Sequence, residues 1–141
     1  MDLRITAIQA EDTWPIRQFV LWPDQPISHC MLEDDAVGSH FGGYIDDRLV
    51  CVASLFPDGE RIARLRKFAT LPDYQHLGLG TQMLQHIIAE LPRLNTTTLW
   101  CHARAAAMPF YQRFGFEPVG EAFNKGPVSY WRAELTIPAE S

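Results

Sequence analysis

The segment Tyr74–Gly80, YQHLGLG, places two glycines one residue apart, where an extended stretch gives way to an apolar segment of helical period. Glycine at the start of a helix costs stability unless the backbone must turn sharply or let another group approach closely. A strand–loop–helix junction also gathers backbone N–H groups at the positive end of the helix dipole, where phosphate commonly binds. Gly78 and Gly80 therefore predict either a pyrophosphate cradle or a tight turn without a ligand.

Two familiar phosphate-binding loops do not fit this segment. A Walker loop ends in Gly-Lys-Ser or Gly-Lys-Thr, whereas Gly80 is followed directly by Thr81. A Rossmann fingerprint needs a third glycine after the first strand of the fold, whereas Met83 stands at that position and several predicted strands precede the loop. Neither an ATP-type nor an NAD-type site is therefore expected.

The cysteines do not predict a metal site or a nucleophile. Cys30, Cys51 and Cys101 contain no Cys-x-x-Cys pair, which argues against a disulfide framework and a zinc ribbon. Cys101 and His102 are adjacent, but neighbouring residues of a strand point to opposite faces, so the two are not expected to act together. Cys51 and Cys101 have the character of small core residues, and no metal cofactor is expected.

Composition bounds the class of protein. The chain has 141 residues and is expected to form one domain, residues 1–141. Its formal net charge of −5 argues against a general nucleic-acid binder, because such proteins carry a basic face. No apolar run approaches the ~18 residues of a membrane span, and the N-terminus lacks the pattern of a signal peptide. A cytoplasmic protein with no nucleic-acid or membrane partner is expected.

The elements that position the candidate groups follow from hydrophobic period and turn residues. Strands are predicted at residues 3–8, 40–45, 48–56, 61–70, 97–103, 116–119 and 128–137, and helices over 80–91 and 104–113. A further helix is predicted where Ile16, Phe19 and Val20 recur at helical spacing. Asp46 and Asp47 join two strands as a hairpin, and the stretch Glu11–Pro15 marks the start of the first helix. Residues 22–39 predict a loop with at most one short helix. The order indicates an α/β (α+β) fold, a mixed sheet with helices on its faces.

Two segments together resemble one known superfamily. Gln-x-x-Gly-x-Gly, formed by Gln75, Gly78 and Gly80 between a strand and a helix, is similar to the acyl-CoA pyrophosphate loop of the GNAT-type N-acetyltransferases. The later segment Ala103–Phe116, ARAAAMPFYQRFGF, resembles that superfamily's Ala-x-x-Phe-Tyr-x-x-x-Gly-Phe segment. The spacing of the two segments and the strand order also suit the superfamily, and the resemblance spans nearly the whole chain.

The resemblance implies a fold and a cosubstrate. It implies a mixed, mostly antiparallel sheet of about six to seven strands with helices on both faces, in which strands 4 and 5 splay apart. The pantetheine arm of acetyl-CoA would enter that gap, and its pyrophosphate would bind backbone N–H groups from Gln75 to Thr81. The cofactor-binding residues implied in this way are Phe68, Ala69, Thr70, Gln75, His76, Leu77, Gly78, Leu79, Gly80, Thr81, Arg104 and Phe110.

Two positions depart from the superfamily's pattern. His76-Leu77 stands where many members have Gly-Lys or Gly-Arg, so one cation near the phosphates is lost or is supplied by His76 or another residue. Arg104 stands where many members have Asn, and it could contact the pantetheine or a phosphate, or cap the following helix. The backbone N–H donors depend on neither side chain.

The resemblance assigns the catalytic acid to Tyr111. An amine that attacks the thioester expels a CoA thiolate, and a phenol of pKa about 10 can protonate it; the alternative is a core tyrosine. His102 is the first candidate for the base that deprotonates the amine, although a histidine in a strand is more often structural. His40, the acidic trio Glu33–Asp35 and a water chain are the other routes.

The acceptor is expected to be a primary amine of a small molecule, a peptide or an antibiotic. Trp14, Arg17 and Trp22 could line its pocket or belong to the core. The alternative function is a non-catalytic module that binds or senses acyl-CoA. Edge strands near the C-terminus could support a homodimer.

Overall fold

The computed structural model describes residues 2–138. In this part of the chain the strands are β1 (Arg4–Ile8), β2 (Ser39–Ile45), β3 (Arg48–Pro57), β4 (Ile62–Thr70), β5 (Thr98–Arg104), β6 (Glu117–Lys125) and β7 (Val128–Thr136), and the α-helices are α1 (Ala10–Leu21), α2 (Leu79–Glu90) and α3 (Met108–Gln112). Short 3₁₀ turns occupy Ile27–Cys30, Glu33–Val37, Pro72–Tyr74 and Ala105–Ala107. Within residues 2–138, no helix has both the length and the apolar character needed to span a membrane.

The strands form a mixed sheet in the order β1-β2-β3-β4-β5-β7-β6. The pairs β1–β2, β2–β3, β5–β7 and β6–β7 are antiparallel, whereas β4 and β5 are parallel. The mixed, mostly antiparallel sheet implied by the resemblance is thus confirmed. The register of the parallel pair runs from Ile62 opposite Thr98 to Arg64 opposite Trp100.

The chain divides into two compact units. The first contains the residues up to Phe56 and Arg66–Glu90, and the second contains Pro57–Leu65 and the residues from Leu91 onward. Strand β4 supplies its second half to the first unit and its first half to the second. The organisation of residues 1–141 as one domain stays a prediction.

The first unit is built on the hairpin of β2 and β3. Asp46 and Asp47 adopt φ angles of 48° and 67°, the left-handed pair that a two-residue hairpin turn requires. β3 is fully buried along most of its length, as its continuous apolar sequence predicts. Ile16 of α1 packs in the core with Val52.

Helix α1 begins earlier than predicted. The start signal was placed at Glu11–Pro15, but the helix begins at Ala10 and Pro15 lies inside it. The Asp12 carboxylate accepts a hydrogen bond of 3.0 Å from the N–H of Gln9, so the cap precedes the proline by a full turn. Residues 22–39 contain two 3₁₀ turns where at most one short helix was predicted.

Helix α2 agrees with its prediction to within one residue at each end. Met83, Leu84 and Ile87 recur at helical spacing and are completely buried. Its first residue, Leu79, is also buried, so the N-terminal turn is anchored by packing. This anchoring fixes where the preceding loop ends.

The second unit carries β5, β7 and β6. Strand β6 is longer than the predicted 116–119, because it continues to Lys125 through an irregularity between Val119 and Phe123. Gly120 has a φ of 76° there, and most of the strand is exposed, so no clean alternation marks it in the sequence. Helix α3 begins at Met108, later than predicted, because Arg104 ends β5 and Ala105–Ala107 form a 3₁₀ turn.

Candidate active site

In the first unit, the loop between β4 and α2 has the backbone geometry of an anion site. Gly78 adopts a φ of 80°, which favours glycine, and a Cβ there would meet no atom within 4 Å. The N–H of Gln82 donates to the carbonyl of Gly78 at 3.2 Å, which is the first backbone hydrogen bond of the helix. The N–H groups of Leu79, Gly80 and Thr81 therefore have no acceptor within the helix and form its positive end.

Gln75 ties this loop to the end of β4. Its side-chain amide Nε2 donates to the carbonyl of Thr70 at 2.9 Å, and its own N–H donates to the carbonyl of Pro72 at 3.2 Å. His76, the next residue, is exposed and has a φ of 62°. The glutamine of the Gln-x-x-Gly-x-Gly motif thus shapes the loop, a role that sequence reasoning did not assign.

This contact leads to a kinetic prediction. Gln75→Ala should raise the KM for acetyl-CoA about fivefold, because a net hydrogen bond contributes about 1 kcal/mol, while kcat stays nearly unchanged. Initial rates of thiol release against acetyl-CoA concentration measure both constants. Gln85→Ala, on an exposed position of α2, is the matched control. An equal change in both variants would show that the loop does not depend on the Gln75 contact.

The end of β4 carries the predicted pantetheine-binding residues. Ala69 is buried, whereas Phe68 and Thr70 are half-buried. The Thr70 hydroxyl donates to the Sγ of Cys51 at 3.3 Å. Lys67 has a φ of 55°, an unusual conformation for a non-glycine residue inside a strand, and such backbone strain is concentrated at functional sites.

In the second unit, Tyr111 lies on α3 beside β5. Its ring makes edge contacts with Phe110 and Phe116 at centroid distances of 5.1 and 5.3 Å, and its phenol lies beside the Cys101 thiol. Burial raises the pKa of the Tyr111 phenol above its usual value, and the neighbouring Cys101 adds to that increase. The same burial raises the pKa of the Cys101 thiol to about 12, so Cys101 is not a nucleophile at neutral pH.

His102 lies on the other face of β5. Its Nδ1 is 3.1 Å from Nη2 of Arg64 and 3.3 Å from Nζ of Lys125. Because Cys101 lies beside the Tyr111 phenol and successive strand residues point to opposite faces, His102 lies on the face of β5 opposite Tyr111. Arg104, also on the face of His102, is exposed at the end of the strand.

The other base candidates belong to a buried network in the first unit. Asp35 forms a two-pronged ion pair with Arg17, with distances of 2.9 and 3.0 Å, and accepts a 3.0 Å hydrogen bond from the indole N–H of Trp14. His40 contacts the carbonyl of Asp35 through Nε2 at 2.9 Å and the Ser54 hydroxyl through Nδ1 at 2.7 Å. Since a carbonyl only accepts, Nε2 carries the proton.

The network determines the ionisation of Asp35. Burial by itself would raise the pKa of this carboxyl, but the hydrogen bonds from Arg17, the Leu32 N–H and Trp14 outweigh it and hold the pKa below its usual value. Trp14 and Arg17, which were expected to line an acceptor pocket or belong to the core, therefore hold Asp35. Sequence reasoning missed this network because its members are far apart in the chain.

The structure thus brings some of the predicted residues together within each unit. In the first unit, Thr70 and Gln75 are hydrogen-bonded in front of the exposed loop residues His76, Leu77 and Gly78. In the second unit, Phe110 and Tyr111 are in contact. Among residues 2–138, no group of three His, Cys, Asp or Glu side chains is arranged to hold a metal ion.

Comparisons with known proteins agree with this geometry. Residues 5–116 match the Acetyltransferase (GNAT) family. The chain is 33% identical over 130 residues to the uncharacterized N-acetyltransferase YitI of Bacillus subtilis, covering 86% of this chain and 87% of that protein. The chain therefore belongs to the GNAT family of acetyltransferases and is an N-acetyltransferase by family.

Solved structures show the same fold. The ribosomal-protein-S18-alanine N-acetyltransferase of Escherichia coli superposes with a TM-score of 0.79 at 23% identity, over 99% of this chain and 97% of that one. A GNAT family acetyltransferase from Elizabethkingia anophelis with acetyl-CoA bound has a TM-score of 0.77 at 12% identity, over 96% of this chain and 98% of that one. The GNAT fold is therefore shared across sequences that have diverged widely.

Proposed function

We propose that the protein transfers an acetyl group from acetyl-CoA to a primary amine by direct attack. The observation that carries the proposal is the β4–α2 loop, where a left-handed Gly78 with open space beside it precedes the N-terminal N–H groups of α2. Such a loop fits a pyrophosphate. Membership of the GNAT family supports acetyl-CoA as the donor, whose thioester is the reactive group.

The chain's own residues bind, orient and donate a proton in this proposal. The N–H groups from Gln75 to Thr81 bind the pyrophosphate, and the backbone of Phe68–Thr70 orients the pantetheine arm. The amine nitrogen forms the new C–N bond, the C–S bond breaks, and the sulfur takes a proton from the Tyr111 hydroxyl. The proton that the new amide nitrogen loses restores the Tyr111 hydroxyl. Direct transfer needs no enzyme nucleophile, which agrees with the raised pKa of Cys101.

The proton of the attacking ammonium is proposed to leave through water. Both oxygens of the Asp35 carboxylate contact Arg17, and both ring nitrogens of His40 are engaged. The Nδ1 of His102 faces two cationic donors, so adding a proton there would bring three positive charges together. His102 was the first candidate for the base, and a water chain is the better-supported route of those predicted.

Acetyl-CoA binding tests the proposal most directly. Thermal unfolding should shift upward by several degrees with acetyl-CoA, since a ligand at ~100 times its Kd contributes about 2.7 kcal/mol. NAD and ATP should give no shift. No shift at millimolar acetyl-CoA would contradict the proposal that the β4–α2 loop binds the pyrophosphate.

If binding is found, thiol release is then measured with small amines and with peptides, because the name of the Escherichia coli relative specifies a protein alanine as acceptor.

A second candidate function is a non-catalytic module that senses acyl-CoA. The observation that favours it is the engagement of Asp35, His40 and His102 in other contacts, which leaves none of these candidates ready to act as a base. Such a module would bind acetyl-CoA and release no thiol with any amine. The two functions therefore separate on turnover and not on binding.

A further inference from the structure

The first unit carries a surface cavity beside the turn that leads into the β4–α2 loop. The cavity has a volume of about 170 Å³ and is lined by a residue of α1, the first residue of β3 and three residues that directly follow β4: Phe19, Arg48, Leu71, Pro72 and Asp73. All of them belong to the first unit. None of them is among the residues proposed to bind acetyl-CoA or to donate a proton.

Three of the residues that line the cavity are apolar. Phe19 lies almost one turn after the core residue Ile16, yet 61% of its surface is exposed. Single exposed apolar side chains are common, but Phe19 shares one cavity with Leu71 and Pro72. Since an apolar cavity of about 150 Å³ holds a benzene ring, this cavity has room for an aromatic or branched apolar side chain.

Two charges of opposite sign line the same cavity. Arg48 begins β3, Asp73 lies in the 3₁₀ turn Pro72–Tyr74, and both are exposed. Within residues 2–138, neither side chain forms an ion pair or a hydrogen bond, so the two charges do not neutralise each other. The guanidinium of Arg48 lies 5.5 Å from the ring centroid of Tyr74, a contact that positions the cation and leaves its charge in place.

We propose that this cavity binds a free amino acid with an aromatic or branched apolar side chain. The ligand's carboxylate would pair with Arg48 and its ammonium with Asp73, while its side chain packs against the apolar residues. A ligand with a single charge would leave one lining charge unpaired and place its own charge near a like one. Exposed ion pairs contribute little individually, so the apolar contact and both pairs act together.

The backbone connects the cavity to the β4–α2 loop. The N–H of Tyr74 donates to the carbonyl of Leu71 at 2.9 Å. Gln75, the next residue, donates through its N–H to the carbonyl of Pro72 at 3.2 Å and through its side chain to the carbonyl of Thr70 at 2.9 Å. A ligand that packs on Leu71 and Pro72 therefore restrains the turn from which the loop starts.

This connection makes the cavity a regulatory site for acetyl-CoA, and that part of the inference rests on the proposed function. Coupling between two binding sites is reciprocal, so each ligand raises the affinity for the other by the same factor. Coupling factors are typically about 5- to 150-fold. We expect the lower end, about fivefold, because the connection runs through one short turn.

Amino-acid binding is tested first, without acetyl-CoA. ¹⁵N-labelled protein is titrated with L-phenylalanine and L-leucine, and the amide signals of Leu71 and Tyr74 should shift. Phenylalaninamide lacks the carboxylate and N-acetylphenylalanine lacks the ammonium, so each should bind about fivefold more weakly than phenylalanine. Glycine lacks the apolar side chain and should bind at least about tenfold more weakly. No shift with phenylalanine or leucine at millimolar concentration overturns the proposal.

Substitutions of exposed residues locate the ligand. Arg48→Gln and Asp73→Asn should each weaken phenylalanine binding about fivefold, and Phe19→Ser about tenfold. Because these three positions are exposed, each variant should unfold at the wild-type temperature. Arg66→Gln is the matched control, since Arg66 also lies over an aromatic ring, that of Phe56 at 5.6 Å, and does not line the cavity. Equal affinity in wild type and Arg48→Gln overturns the site.

The coupling is tested last by calorimetry with CoA, which carries the same pyrophosphate and no acetyl group that phenylalanine could consume. Saturating phenylalanine should lower the Kd for CoA about fivefold in wild type and less in Arg48→Gln. If the Kd does not change, the regulatory role is wrong and acetyl transfer stands. If neither CoA nor acetyl-CoA binds, the proposed function and the coupling fail together, whereas the amide shifts of Leu71 and Tyr74 still decide whether the cavity binds an amino acid.

Discussion

Replacing Tyr111 with Phe is expected to lower kcat for acetyl transfer by about 10²–10⁴-fold, the usual contribution of a positioned general acid. The acetyl-CoA affinity should stay nearly unchanged, because the ring contacts with Phe110 and Phe116 do not involve the hydroxyl. The loss should therefore be visible in kcat and kcat/KM together, the pattern of an interaction made only in the transition state.

The surroundings of Tyr111 make the proton transfer reasonable despite its raised pKa. A phenol that is harder to ionise is a weaker acid, but the same burial acts on a thiolate formed beside it. Cys101 reports that effect, since the pKa of its thiol is raised to about 12. A leaving thiolate in such surroundings is more basic than in water and can take the phenolic proton.

The direction of this pKa shift also predicts the pH dependence. Because the pKa of Tyr111 lies above the usual value of about 10, the acid stays protonated throughout the neutral and mildly alkaline range. The rate should therefore not fall between pH 7 and pH 9 through loss of this proton. A falling limb in that range that disappears in Tyr111→Phe would contradict the raised pKa.

The control for Tyr111 is another half-buried tyrosine. Tyr44 on β2 carries its ring under the guanidinium of Arg4, and Tyr44→Phe should leave kcat unchanged. If Tyr111→Phe turns over a tested amine at the wild-type rate, Tyr111 is a core residue and the acid lies elsewhere. If wild type binds acetyl-CoA and acetylates no amine, the sensing module is the better function.

Local sequence signals predicted the strands and α2 well. The Asp46-Asp47 turn, the continuous apolar run of β3 and the helical spacing of Met83, Leu84 and Ile87 each act within a few residues. Such signals can be recognised in the sequence without knowledge of the tertiary contacts. The start of α1 was misplaced because Pro15 outweighed a cap formed by Asp12, although both signals are local.

Of the candidate site, the sequence could predict only the part that lies within one short motif. Gly78 was predicted, from its place in the loop, to lie where the backbone turns sharply or lets another group approach closely, and its left-handed backbone agrees with that prediction. The partners of His102 could not be predicted, because Arg64 lies 38 positions away and meets it only after β4 and β5 pair. The Gln75 contact spans five positions, but a glutamine side chain has no turn signature of its own.

A second large effect is expected in the buried network of the first unit, where Asp35→Asn should lower the free energy of unfolding by about 3–5 kcal/mol. Arg17 is completely buried, and its guanidinium donates to both Asp35 oxygens, to the carbonyl of Cys30 and to the Ser54 hydroxyl. Removing the charge of Asp35 would leave the Arg17 cation buried without its counter-ion.

The same pair predicts how stability depends on pH. Since the pKa of Asp35 is lower in the folded protein than its ordinary value of about 3.9, its contribution is complete above that value. It is lost as the pH falls through the folded pKa, when the native carboxylate is protonated. Urea unfolding at pH 7 and at steps below pH 5 should show this decline in wild type and a smaller one in Asp35→Asn.

A double variant distinguishes a lost pair from a lost side chain. Arg17→Met with Asp35→Leu removes both buried charges, so it should destabilise by less than the sum of the two single changes. Asp47→Asn, which breaks the exposed Arg4–Asp47 contact at 4.0 Å and leaves Arg4 over the Tyr44 ring, should leave the unfolding midpoint unchanged. If the two single changes at Arg17 and Asp35 instead add up in the double variant, the ion pair does not couple them. The stability of this unit would then come from the packing around β3, and the network would serve only to position Trp14 and the 3₁₀ turn that contains Asp35.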